Sequence, residues 1–113
     1  LRKDALVAAA RVNGMTLFDV RLETDPTMAR FRFVSPAIDP AGEGKTFADI
    51  VDDLDYVCAH VVVPSLAANG WESGDVVLSV SNVETEFGAI APEVTQFFQP
   101  FKITDGTCMW EDS

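Results

Sequence analysis

Between Thr46 and Asn69 the chain carries Phe47, Ile50, Val51, Leu54, Cys58 and Val61 at the spacing of one face of an α-helix. A long helix with one apolar face needs a surface to cover, and that need constrains the rest of the chain. Thr46 followed by Asp49 reads as a capping-box start, and Asn69-Gly70 as a stop signal. Asp49, Asp52, Asp53 and Asp55 fall in the first turns, where negative charge suits the positive end of the helix dipole. A solvated face explains them. Pro64 lacks an N–H and its ring collides with the carbonyl one turn back, so the helix is expected to kink or restart near Val61 to Pro64. Val61-Val62-Val63 suits a segment covered on all sides.

The surface to be covered is read from alternation. Phe18, Val20 and Leu22 alternate with Asp19, Arg21 and Glu23, and beyond the turn residues Thr24-Asp25-Pro26-Thr27, Phe31 and Phe33 alternate with Arg30 and Arg32. This is an expected antiparallel hairpin. Val76 to Ser81 supplies a middle strand and Thr95 to Ile103 another, followed by the two-residue hairpin turn Asp105-Gly106. Counting outward from that turn sets Ile103 opposite Cys108 and Phe101 opposite Trp110, with all four on one face. Pro100 cannot donate to a ladder, so its strand is expected to lie at an edge or to carry a bulge there. The expected class is α+β: an antiparallel sheet of about five strands, in the order ββαβββ, with one long kinked helix on one face. Residues 1–16 form an N-terminal segment, for which a short helix is one reading, and residues 17–113 a single domain.

Charge removes several classes of function. The net charge is −10, from 18 acidic and 8 basic residues, which repels phosphate backbones and anionic lipid surfaces. The 113 residues suffice for one core without a metal. There is no apolar run of the roughly 18 residues a membrane span needs. Arg2-Lys3 and Ala5 to Ala10 resemble a signal peptide faintly, but Asp4 and Arg11 interrupt the stretch. It is read as part of a mature N-terminus.

Cys58 lies on the apolar helix face and Cys108 on the inner face of the last hairpin, so a helix packed on that sheet makes the two sulfurs candidates to meet. Two unrelated buried thiols are the alternative. A disulfide implies an oxidising compartment. The wide separation excludes a CxxC motif, and with no second pair there is no structural zinc set. His60, the only histidine, is offset from the apolar stripe beside Asp53 and Tyr56, away from any nucleophile. Glu84, Glu86 and Glu111-Asp112 add carboxylates, but nothing places two across a cleft and no calcium-loop pattern occurs. Gly42-Glu43-Gly44-Lys45-Thr46 resembles the end of a phosphate loop without its first glycine and without a parallel strand-helix-strand setting. An anion site on Arg30 and Arg32 is opposed by the carboxylates beside them. No catalytic, cofactor-binding or metal-binding residue is therefore assigned. The candidate interface is Phe98, for which packing under the N-terminal segment is the other reading, with Glu84, Glu86 and Phe87 of the loop from Asn82 to Pro92, for which an ordinary exposed loop is the other reading.

Phe31 to Pro36, the helix with Cys58, Pro64 to Gly70, Thr95-Gln96-Phe97-Phe98 and above all Ile103 to Glu111 together resemble a domain family of unknown function. That family occurs in small exported proteins of Rhodobacter-like alphaproteobacteria, and the resemblance runs from Leu17 to the C-terminus. It implies export and paired cysteines but no site. Some members carry an acetolactate synthase label, which this chain gives no basis for: it is far too short and has no thiamine-diphosphate signature.

The expected function is that of a non-enzymatic periplasmic protein, a protein-interaction module or accessory subunit of an envelope assembly. Its expected partner is a protein, with no nucleic acid, no membrane insertion and no cofactor. Ranked below it are a small-ligand or cation-binding periplasmic protein and, last, a small hydrolase.

Overall fold

The structure is a computed structural model that describes residues 11–111 apart from 13, 24–27, 69, 72 and 88–91. Alternating apolar residues build six strands whose order in the sheet follows the chain: β1 (Arg11–Val12), β2 (Met15–Glu23), β3 (Met28–Val34), β4 (Gly74–Ser81), β5 (Gln96–Thr104) and β6 (Thr107–Trp110). Five of these realise the expected ββαβββ order, and the two-residue β1 extends the sheet beside β2. Of the expected N-terminal segment, residues 1–10 and 13 lie outside the described residues, as does the Thr24 to Thr27 turn, while Met15 and Thr16 open β2.

The sheet is mixed, which corrects the antiparallel expectation. β3 pairs β4 in parallel, while every other neighbouring pair is antiparallel. The cause is the helix itself. It carries the chain back along one face of the sheet, so the next strand starts from the same end as the last.

The helical segment starts at α1 (Phe47–Val57), widens into a π-turn (Cys58–Val62) and ends as α2 (Val63–Ala67). The Thr46 N–H donates to Asp49 Oδ2 at 2.8 Å, the expected capping contact. The kink expected at Pro64 takes the form of this π-turn. The Val63 N–H reaches back five residues to the Cys58 carbonyl, and the wider turn makes room for the proline ring. Ser65 Oγ donates to the Val61 carbonyl at 2.6 Å. At the far end Gly70 has φ +84, with Gly70 N–H on Ala67 O and Trp71 N–H on Leu66 O. This is the Schellman pattern that glycine permits.

Ile50, Leu54, Val57, Val62 and Leu66 pack on Phe31, Phe33, Leu78, Val80 and Phe101 of the sheet. Each such side chain stabilises by about 1.5–3 kcal/mol when fully buried. Phe47 meets Phe97 and Trp110 edge-on at 6.0 and 6.4 Å, holding the helix start over β5 and β6. The last hairpin has the expected register, Ile103 with Cys108 and Phe101 with Trp110, around a turn with φ 49 at Asp105 and 77 at Gly106. Cys58 and Cys108 form a disulfide. Pro100 sits where β6 runs out. Its carbonyl accepts Glu111 N–H, and because N and O of one strand residue point to the same side, its missing donor costs the β4 ladder nothing.

Candidate functional site

The face of the sheet away from the helix has no covering element of regular structure among the described residues. Registers align Asp19, Arg32, Ser79 and Phe98 in one row across β2 to β5, with Arg21, Arg30, Val77 and Pro100 in the next. Phe18 also lies here, which corrects its expected inward position. A bulge between Leu17 and Asp19 sets Phe18 and Asp19 together opposite Arg32, and the inward set becomes Met15, Leu17 and Val20.

Arg32 organises the face. Only 6% exposed, it donates from one Nη to Asp19 Oδ2 at 2.6 Å and from the other to the carbonyl and hydroxyl of Thr85 at 2.9 and 3.1 Å. Its Cζ stands 4.9 Å from the Phe18 ring and 5.4 Å from the Phe87 ring. Burying a guanidinium is costly unless it is hydrogen-bonded, and here both Nη groups are engaged. Asn82 closes the base of the loop: its N–H donates to Thr95 O, its Oδ1 accepts Thr95 N–H, and its Nδ2 donates to Asp39 Oδ2. The segment from Asn82 to Phe87 is thus held at its base by Thr95 and at Thr85 by Arg32.

Between this segment and the sheet lies a groove of about 320 Å³, with Arg30, Val77 and Ser79 in its floor and Phe87 and Phe98 in its walls. A more open depression of about 490 Å³ continues past Thr85 to Phe87 toward Phe18 and Arg21. Phe98 is 57% exposed and Phe87 44%. Of the interface residues expected from sequence, Phe98, Glu86 and Phe87 line the groove; Glu84 is exposed on the same loop but outside the lining. The sequence reading missed Thr85 and the organising role of Arg32. Only the bulge that sets Asp19 beside Arg32 had a signal, in the phase of the pattern, since Met15 and Leu17 alternate in one frame and Val20 in the other; Thr85 had none.

The other candidates do not assemble. His60 is exposed, stacked on Tyr56 with ring centroids 4.0 Å apart and with Nδ1 3.0 Å from the Tyr56 carbonyl oxygen. Asp49 is committed to the helix start, and the Thr46 N–H it accepts, followed by the Thr46 hydroxyl, lowers its pKa below the usual carboxylate value. The phosphate-loop lookalike does sit in a parallel strand-helix-strand unit, against expectation. Its amides are turned inward, however: Gly42 and Gly44 N–H donate to Asp39 O, and Lys45 N–H to Ala37 O. No anion cradle remains. Asp112 lies outside the described residues. Among the described residues no group of three or more His, Cys, Asp or Glu side chains is arranged to hold a metal ion.

A family of unknown function, DUF6497, matches residues 6–113. The chain belongs to this family. Comparison with curated proteins found no match, and comparison with solved structures found none. For this member of DUF6497 the groove's own geometry therefore carries the functional argument.

Proposed function

We propose that the protein is an exported, non-enzymatic interaction module, an accessory subunit of an envelope assembly, that docks a partner protein through the outer face of its sheet. The observation that carries this reading is the pair Phe87 and Phe98, exposed on either side of a groove whose wall is pinned by a buried arginine. Aromatic anchors beside a preformed pocket supply binding energy at little ordering cost. The Cys58–Cys108 disulfide supports a place in the periplasm, because thiols of cytosolic proteins are kept reduced. Among the described residues no helix is long and apolar enough to cross a membrane, in keeping with a partner reached from solution.

Site-specific crosslinking in the native host tests the reading. A benzoylphenylalanine at position 98 is expected to give one discrete adduct, while the same group at position 52, on the exposed helix face, gives none. If both positions give the same pattern and the purified protein is monomeric, docking through this face is wrong. A second reading, a small-ligand carrier, draws on the groove volume, which falls at the low end of the roughly 300–1,000 Å³ of small-molecule sites. It requires a metabolite that raises the melting temperature of wild-type protein but not of a Phe98→Ser variant.

A further inference from the structure

We infer that the docked segment of the partner carries a single carboxylate next to an aromatic residue, the carboxylate paired with Arg30 and the ring placed between Phe87 and Phe98. The inference rests on the docking reading above and names the chemistry of what docks.

It begins from charge. In a chain of net charge −10, Arg21, Arg30 and Arg32 gather around one ring, their Cζ atoms 4.9, 5.9 and 5.4 Å from the centroid of Phe87. Arg21 and Arg30 are direct cross-strand partners, an arrangement of like charges that works against folding. Among the described residues, the carboxylates in ion pairs with the three guanidinium groups are Asp19 and Glu23, two acids against three cations.

Arg21 and Arg32 share one Asp19 oxygen while Arg30 has Glu23 to itself, so what singles out Arg30 is its place in the groove with donors to spare. Arg32 is committed to Asp19 and Thr85, and Arg21 binds the same Asp19 oxygen from the more open depression. Arg30 lines the 320 Å³ groove and engages Glu23 Oε1 through Nε alone, at 2.8 Å. Its two Nη groups have no protein partner among the described residues. A guanidinium bound at Nε keeps its Nη edge for an end-on, two-point carboxylate contact. With side chains 31% and 43% exposed, the Arg30–Glu23 pair is the weak surface kind, and an incoming carboxylate competes with it at little cost. Val77 and the exposed rings of Phe87 and Phe98 supply the apolar part of the site. Exposed Glu86 at the rim and the net charge of −10 disfavour a run of acids, so one carboxylate fits where a polyanion is repelled.

Titration of the ¹⁵N-labelled protein at low salt with acetyl-Phe-Glu-Phe-amide, its Phe-Gln-Phe isostere and phenylacetate tests the inference. The Glu peptide is expected to bind roughly ten-fold or more tightly than the Gln peptide, moving the Phe87 and Phe98 amides and the Arg30 Nε signal. Arg30→Gln is expected to erase that preference. Glu23→Gln, by removing the competing carboxylate, is expected to tighten the Glu peptide about three-fold. Both positions are partly exposed, so unchanged spectra elsewhere verify the fold; if Arg30→Gln fails that check, the Glu23→Gln result on folded protein decides. Equal binding of the Glu and Gln peptides, absence of binding, or a preference that survives Arg30→Gln overturns the inference. Phenylacetate binding as tightly as the Glu peptide also overturns it and assigns the groove to free small carboxylates. A position-98 adduct that persists when the peptides do not discriminate leaves docking standing and removes only the carboxylate.

Discussion

Arg32 shows how one side chain converts a sheet face into a shaped surface. It ties the β2 bulge to the loop through Asp19 on one side and Thr85 on the other, with both ion-pair partners almost fully buried. Removing one member of such a pair strands a charge, a loss of about 3–5 kcal/mol. Asp19→Ala is therefore expected to lower unfolding free energy by about that amount in urea titration. Arg32→Met is expected to cost less, because Asp19 keeps Arg21 at 2.9 Å and the methionine remains apolar. Its mark is local, with faster amide hydrogen exchange at Glu86 and Phe87 once Thr85 is released. A loss below about 1 kcal/mol for Asp19→Ala would show that the pair is not the organising contact. Little of this was legible in the sequence. Alternation identified Arg30 and Arg32 as outward residues, but the burial of one and the half-exposure of the other depend on a loop 53 residues away.

At the scale of elements the sequence was more informative. The cap at Thr46, the glycine stop at Gly70 and the hairpin register around Asp105-Gly106 each follow from chemistry within a few residues, and each is present. The parallel pairing of β3 and β4 was not read because hydrophobic alternation has the same period in either direction; only the helix between them carries the sense. Pro64 announced an irregularity, and which irregularity was decided by packing: the π-turn lets Val57 and Cys58, then Val61 and Val62, all reach the core. The helix start gives a pH prediction. Asp49 has a native pKa below its unfolded value of 3.8, so its contribution is complete above 3.8 and is lost as pH falls through the native value. Asp49→Asn is expected to melt below wild type at neutral pH, with the gap closing on acidification toward and below the native value. A gap independent of pH would mean that the carboxylate charge does not stabilise the cap.

For the molecule as a whole, the disulfide links the compartment to the margin of stability. It joins the helix to the last hairpin across 50 residues, and on the chain-entropy argument a closed loop of that size stabilises by about 4 kcal/mol. Domains of this size have only about 5–15 kcal/mol in total, so the bridge is a large share of whatever margin this one has. The Cys58→Ala, Cys108→Ala double variant is expected to lose about 4 kcal/mol in urea unfolding, and reductant to lower the wild type by the same amount. Agreement between the two would attribute the loss to the bridge rather than to repacking of the two sulfurs. Protein taken from its native cell without reductant, then denatured, is expected to show no reactive thiol, and two after reduction. Two reactive thiols before reduction would place the chain in a reducing compartment. The export reading would then fail, while the groove on the opposite face of the sheet, built from Arg32, Thr85, Phe87 and Phe98, includes neither cysteine and does not depend on the bridge for its contacts.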